Sequence, residues 1–258
     1  MQTLMVYSET GGATKTATAI SLAMVAASDL GKRVTYVDLD PRAAGTKWLG
    51  VEPVEPGLDI GAILANPDVD GWAEGMAAQT TWHPNLRAIP SDRSVSMRER
   101  DQDDHSELRL ASALEGIESD LVVIDCPNRQ GGPLILNALN AADTVIYAAT
   151  ATSDGVDGYL GAQRSVQRFK ESRRKIKAPD QYPEELGVVM GAIKETIMSR
   201  SATHSIEEVR SAGMLITPLV PNRAIVDEAR YTHEWFGNYR KGTPVVDAYR
   251  EIAGKVIR

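Results

Sequence analysis

Residues 8–17, Ser-Glu-Thr-Gly-Gly-Ala-Thr-Lys-Thr-Ala, are of the types that can hold phosphate. Glycines let backbone amides turn inward around phosphate oxygens, and a helix opening at Lys15 would add the partial positive charge of its N-terminus. In such a loop Lys15 reaches the β and γ phosphates and Thr16 places its hydroxyl on Mg²⁺. The usual pattern is G-x-x-x-x-G-K-S/T, and here Glu9 and Thr14 stand at both glycine positions. On these residues alone, an ordinary glycine turn opening a helix fits equally well. Two further features add weight to the phosphate reading. Asp38-Leu39-Asp40-Pro41 follows the β-branched run Arg33 to Val37, and Asp125-Cys126-Pro127 follows Leu121 to Ile124. Ligands of an open parallel sheet bind at the carboxyl ends of its strands, where a phosphate loop and carboxylates suited to Mg²⁺ and water would meet. Each Asp taken singly could instead cap the next helix or turn; their joint order and spacing favour a site.

The elements that would position these residues alternate in the rhythm of βαβ units. Strands are expected at Thr3–Tyr7, Arg33–Val37, Leu121–Ile124, Thr144–Ala148, Leu186–Ala192 and Met214–Pro218. Helices are expected at Lys15–Leu30, closed by Gly31, then near Ser106–Glu118, Pro133–Asn140, Gly155–Lys175 and Ser205–Ser211, and from Val245 to the end. Residues 51–105 are broken by Pro53, Pro56, Pro67, Pro84 and Pro90, and 98–104 (RERDQDD) reads as exposed loop. This stretch is expected to be an irregular elaboration between core strands. With no repeat, low-complexity tract or linker, residues 1–258 read as one α/β domain, a mostly parallel sheet with helices on both faces, of the P-loop NTPase type.

Composition bounds the rest. The 258 residues are 43% hydrophobic and 24% charged, and no apolar run approaches the ~18 residues of a membrane span. No basic residue precedes Lys15, and the apolar run Leu4 to Tyr7 is short for a signal peptide, so a cytoplasmic protein away from the membrane is expected. The single cysteine, Cys126, excludes an internal disulfide and reads as a small buried residue. His83, His105, His204 and His233 lack metal-ligand spacing. A net charge of −7 argues against a surface that coats nucleic acid everywhere, and 5% aromatics leave little material for base stacking. A local basic concentration exists nonetheless: Arg164, Arg168, Lys170, Arg173, Arg174, Lys175 and Lys177 lie against one acid, Glu171. They fit either non-specific contact with DNA phosphates or a solvated helix face with a basic last turn.

The chain resembles the ParA family of partition ATPases, within the deviant Walker A group that includes MinD. The resemblance covers nearly the whole length. It rests on GGATKTATAISLA, GKRVTYVDLDPR, DLVVIDCPNRQGG, AADTVIYAATATSDGVDG and the closing LITPLVPNRAIVDEARYTHEWFGNYRKGTPVVDAYREIAGKVI. It implies ATP and Mg²⁺ as ligands, bound along Gly11, Gly12, Ala13, Thr14, Lys15, Thr16 and Ala17, with Pro221 and Asn222 at the base pocket. It further implies Lys15 on the phosphates, Asp40 positioning the attacking water, Thr16 on the metal, Asp125 near it through water, and Asp38 supporting its shell. DNA contact is implied for the basic helix residues Arg164, Arg168, Arg173, Arg174 and Lys175, with Arg200 and Arg223 beside family contact positions. The implied biology is a slow ATPase that segregates or positions a plasmid, prophage or chromosome. It would be a nucleoid-associated, ATP-dependent homodimer with a centromere-binding ParB-type partner.

One departure stands out: the family's first loop lysine, which reaches across the dimer to the partner's phosphates, is here Thr10. Asn128 stands where many relatives have a second proline. Two alternatives follow, a hydrolysis-poor nucleotide-dependent adaptor and a MinD-like positioning ATPase; the C-terminus lacks an extra amphipathic tail for the second. A reductase of the same loop class would need paired cysteines, and a metabolic ligase is a minor alternative. Because the first strand begins within a few residues of Met1, no N-terminal helix-turn-helix region is expected.

Overall fold

A computed structural model describes residues 1–176 and 182–258. Strands β1 (Gln2–Tyr7), β2 (Val34–Asp38), β3 (Ala78–Gln79), β4 (Leu86–Ile89), β5 (Leu121–Asp125), β6 (Thr144–Thr150), β7 (Glu184–Gly191) and β8 (Leu215–Ile216) form one sheet of order β3-β4-β2-β5-β1-β6-β7-β8. Every pairing is parallel except β3 with β4 at the edge. The chain is a single α/β domain with a mostly parallel sheet and helices, the P-loop NTPase arrangement.

Side-chain alternation explains the layers. Along β1, Met5 and Tyr7 enter one core while Leu4 and Val6 enter the other; Val122 and Ile124 of β5 likewise part from Leu121 and Val123. The first face is covered by α3 (Ile60–Ala65), α4 (Trp72–Met76), α5 (Arg109–Ala113), α6 (Pro133–Ala141), α7 (Ser153–Lys175) and α8 (Arg200–Ser211). The second is covered by α1 (Lys15–Ser28), α2 (Ala44–Leu49), α9 (Ala224–Tyr231) and α10 (Thr243–Val256). Strands buried on both faces read as continuous apolar runs, which made β1, β5 and β6 easy to find.

Residues 51–105 hold more order than their prolines suggest. Leu86–Ile89 is a core strand paired with β2 from Val34↔Leu86 to Val37↔Ile89. Four residues with Arg87 among them, set between Pro84 and Pro90, carry too short a pattern to read. The Asp59 side chain caps α3 by accepting from the Ala62 amide at 3.1 Å. Residues 98–104 are not simply exposed loop: Arg98 and Arg109 bracket Asp101 at 3.2 and 3.7 Å, and the Arg109 side chain is only 5% exposed. The helix expected at 106–118 is a 3₁₀ turn (Ser106–Leu108) followed by α5, and ends before Gly116, whose φ is +73°. Helices α2 and α9 lie where none was expected.

Candidate functional site

The loop between β1 and α1 wraps at the carboxyl edge of the sheet. Gly12 takes φ +76° and Thr14 φ +63°. For a β-branched residue this left-handed conformation is costly, and Gly191 at the end of β7 accommodates it: a Cβ there would lie 3.0 Å from Thr14 Cβ. Helix α1 then starts with no side-chain cap and no acid in its first turn. Its first amides therefore have no side-chain cap and would suit an anion.

Lys15 is buried, 5% exposed, and its Nζ donates to the Thr10 carbonyl at 3.0 Å. Burial pulls its ammonium below the usual lysine range, opposed by the charges of Asp125 and Asp40. Asp38 and Asp125 end neighbouring strands in direct register. Burial first, and the charge of Asp125 second, push the Asp38 carboxyl up to about 7. Burial pushes Asp125 up to about 6, against the Thr16 and Tyr36 hydroxyls and Lys15. The oxygens of Asp38 are occupied, Oδ1 by the Asp40 amide at 3.1 Å and Oδ2 by the Thr46 amide and hydroxyl at 2.8 Å. Asp125 Oδ2 accepts from Tyr36 OH at 2.8 Å, whereas its Oδ1 is buried without a partner. An orphaned carboxylate oxygen beside Thr16 is what a hydrated Mg²⁺ would satisfy. Asp40, 3% exposed, holds Arg42 at 2.8 Å, and its carbonyl accepts from Ser91 Oγ at 3.0 Å.

A cavity of about 520 Å³ opens over the loop, within the range of small-ligand sites. Of the residues the resemblance implies for the nucleotide, Gly12 to Ala17, Pro221 and Asn222 line the cavity; Gly11 instead lies against Asn128, 3.2 Å from a Cβ at Gly11 to Asn128 Nδ2. Sequence reasoning missed Trp48, Phe236 and Tyr249, the aromatic walls, and the cations Arg42, Lys47 and Arg230. Only Arg42, in the Asp-Pro-Arg run, carried a local signal. By donor set, charge and size, the loop and its carboxylates are of the kind that would suit a triphosphate with Mg²⁺.

The other expected contacts scatter. Along α7, Arg164, Arg168 and Lys175 share one exposed face with Glu171, by 100° helical spacing. Lys170 is tied to Glu185 at 2.7 Å, Arg173 lies over the Phe169 ring at 6.0 Å, and Arg174 over Tyr182 at 5.4 Å. Lys177 lies outside the described residues. Arg200 opens α8 in the open, while Arg223 lines the cavity and pairs with Glu195. The Thr10 hydroxyl donates to the Asp154 carbonyl at 3.0 Å, so this side chain is turned onto α7. Cys126 is fully buried, and burial pushes its thiol up. Among the described residues no helix is long and apolar enough to cross a membrane.

Comparison with known proteins gives the family and the fold. Residues 1–178 match the AAA-domain family that holds the loop and both acidic strand ends. The chain is 31% identical over 180 residues to the chromosome partitioning protein ParA of Caulobacter vibrioides, covering 67% of this chain and 64% of that one. The chain belongs to the ParA family. It is also 26% identical over 266 residues to the chromosome-partitioning ATPase Soj of Thermus thermophilus, covering 96% and 92% of the two chains. The fold is that of a McdA variant from Cyanothece solved in complex with ATP, with TM-score 0.83 and 21% identity over 99% of this chain and 96% of that one. The matched region spans just under two thirds of the Caulobacter relative.

Proposed function

We propose that this chain is a ParA-type ATPase that binds Mg²⁺·ATP and uses it to position DNA-borne cargo. The observation that carries the reading is the convergence of the uncapped α1 and Lys15 on the cavity wall, with the fully buried Asp125 beside Lys15 and Thr16. Lys15 would exchange the Thr10 carbonyl for phosphate oxygens, and the α1 amides would hold the same oxygens without moving. Mg²⁺ on Thr16, reaching Asp125 through water, would neutralise triphosphate charge. Asp40, its carboxylate held by Arg42, would hold an attacking water, with Asp38 fixing the Asp40 amide. Gly11 and Gly12 are exposed on the outer edge of the loop, which suits a face-to-face ATP dimer. The exposed face bearing Arg164, Arg168 and Lys175 suits sequence-indifferent DNA, consistent with a nucleoid location and a ParB-type partner.

Calorimetric titration tests the core of the reading. Lys15→Ala should weaken ATP binding by at least ~100-fold, since a charge-assisted contact on the β and γ phosphates is lost. Equal affinity in the two proteins would remove the loop from the reading. Thr10, turned onto α7, supports a second reading: a switch that binds ATP and hydrolyses it poorly. Comparing ATP binding with DNA-stimulated phosphate release separates the two.

A further inference from the structure

Glu9 is an anion inside a loop built for anions, and the structure turns it away from the cavity. Its amide donates to the Gly158 carbonyl at 3.1 Å, and its carboxylate Oε1 accepts from Ser165 Oγ at 2.9 Å. The close approach is possible because Gly158 and Gly161 of α7 lack side chains: a Cβ at Gly161 would fall 2.1 Å from Glu9 Oε2. Ser165 is itself 6% exposed, and its Oγ accepts from Arg168 Nη2 at 3.0 Å. The hydroxyl has one proton and gives it to Glu9, which leaves a lone pair for Arg168. Two hydrogen-bonded runs, Lys15 to the Thr10 carbonyl and Glu9 through Ser165 to the exposed Arg168 on the outer face of α7, are thus joined by the peptide link between Glu9 and Thr10.

We propose that Ser165 is a positioning residue through which the phosphate loop sets how freely Arg168 can take a nucleic-acid phosphate; this rests on the DNA reading above. A guanidinium tethered to Ser165 and to the field of Glu9 is held back from a phosphate outside. A triphosphate on the loop draws Lys15 Nζ off the Thr10 carbonyl, next to Glu9. Once Glu9 shifts, the Ser165 proton is no longer held toward it, the lone pair facing Arg168 is no longer oriented, and the carboxylate's pull on the guanidinium falls. Arg168 is then released outward, so ATP raises affinity for DNA, and by linkage DNA raises affinity for ATP by the same factor.

The test is binding of a labelled duplex of arbitrary sequence to the full chain, with and without ATP, followed by anisotropy. Wild type should bind at least ~5-fold more tightly with ATP, the lower end of ordinary allosteric coupling. Ser165→Ala should raise the affinity without nucleotide to within ~2-fold of the ATP value, collapsing that ratio. Glu9→Gln, which keeps size and an acceptor but loses the charge, should reduce the ratio partway. Arg168→Ala should lower the affinity with ATP and flatten the salt slope by about 1. A purely structural role for Ser165 would lower the melting temperature and leave the ratio intact, which would overturn the proposal. An unchanged ratio in both Ser165→Ala and Glu9→Gln would sink it while DNA binding stood; a wild type that binds no duplex in either state would sink the DNA reading and the coupling together.

Discussion

At the loop end of the cavity six consecutive residues, Gly12 to Ala17, make the wall. Elsewhere in the wall Trp48, Val220, Phe236 and Tyr249 come from four separate elements or loops. The first end is held by backbone: a turn with positive φ, a helix terminus and a lysine bonded to a carbonyl of its own loop. The second part is held by side-chain packing, with the Trp48 and Phe236 rings 6.2 Å apart and Trp48 Nε1 donating to the Glu234 carbonyl at 3.1 Å. A site for charge can be local, because amides and one ammonium suffice. A site for a flat apolar group needs surfaces that only tertiary packing assembles.

Breaking the packed part of the wall should have the largest effect. Trp48 is 2% exposed, so Trp48→Ala should cost about 3–5 kcal/mol of stability in urea unfolding. It should weaken ATP and ADP alike, because neither phosphate contact changes. A loss confined to ATP would mean that the two parts of the wall are not separable.

The loop can be disturbed from behind. A Cβ at Gly158 would sit 2.1 Å from Thr10 Oγ1, so Gly158→Ala should cost about 1–3 kcal/mol through overpacking. It should also weaken ATP more than ADP, since the displaced segment carries the carbonyl on which Lys15 rests. Equal weakening of both nucleotides would show that α7 does not support the γ-phosphate side.

The buried carboxylates give a pH dependence with a definite sign. Asp38 and Asp125 are both raised in the fold, to about 7 and about 6. Between the ordinary carboxylate range and pH 7 the folded chain therefore binds more protons than the unfolded one, and stability falls as pH rises, levelling off above about 7. The slope is bounded by about 1.4 kcal/mol per pH unit for each group. Asp38→Asn should reduce it in unfolding series between pH 5 and 7.5; an unchanged slope would place the proton elsewhere. The smallest effect concerns Thr14, whose φ of +63° suits glycine. Thr14→Gly should stabilise the chain by up to ~1 kcal/mol, and a loss would mean that the packing of Thr14 on Gly191 outweighs the backbone strain.

Much of the loop end was legible because its signals are short-range. Strand, turn, helix and the two acidic strand ends each occupy a few neighbouring residues, and β1 and β5 are apolar throughout because both faces are covered. β4 was not legible: Leu-Arg-Ala-Ile is a strand only because β2 offers it a free edge. The basic helix was legible as charge but not as a surface. Tertiary neighbours claim Lys170 for Glu185 and lay Arg173 on Phe169, leaving Arg164, Arg168 and Lys175 on the open face.

By itself the sequence determined the βαβ order, the glycine loop before α1 and the carboxylates at the strand ends beside it, because backbone dihedrals, helix dipoles and strand ends are properties of adjacent residues. Only the tertiary structure decided which oxygen of Asp125 is left without a partner, which aromatic rings wall the cavity, and that Glu9 turns its charge onto Ser165. Those outcomes depend on burial and on hydrogen-bond competition between groups as much as 186 positions apart, which no local pattern encodes.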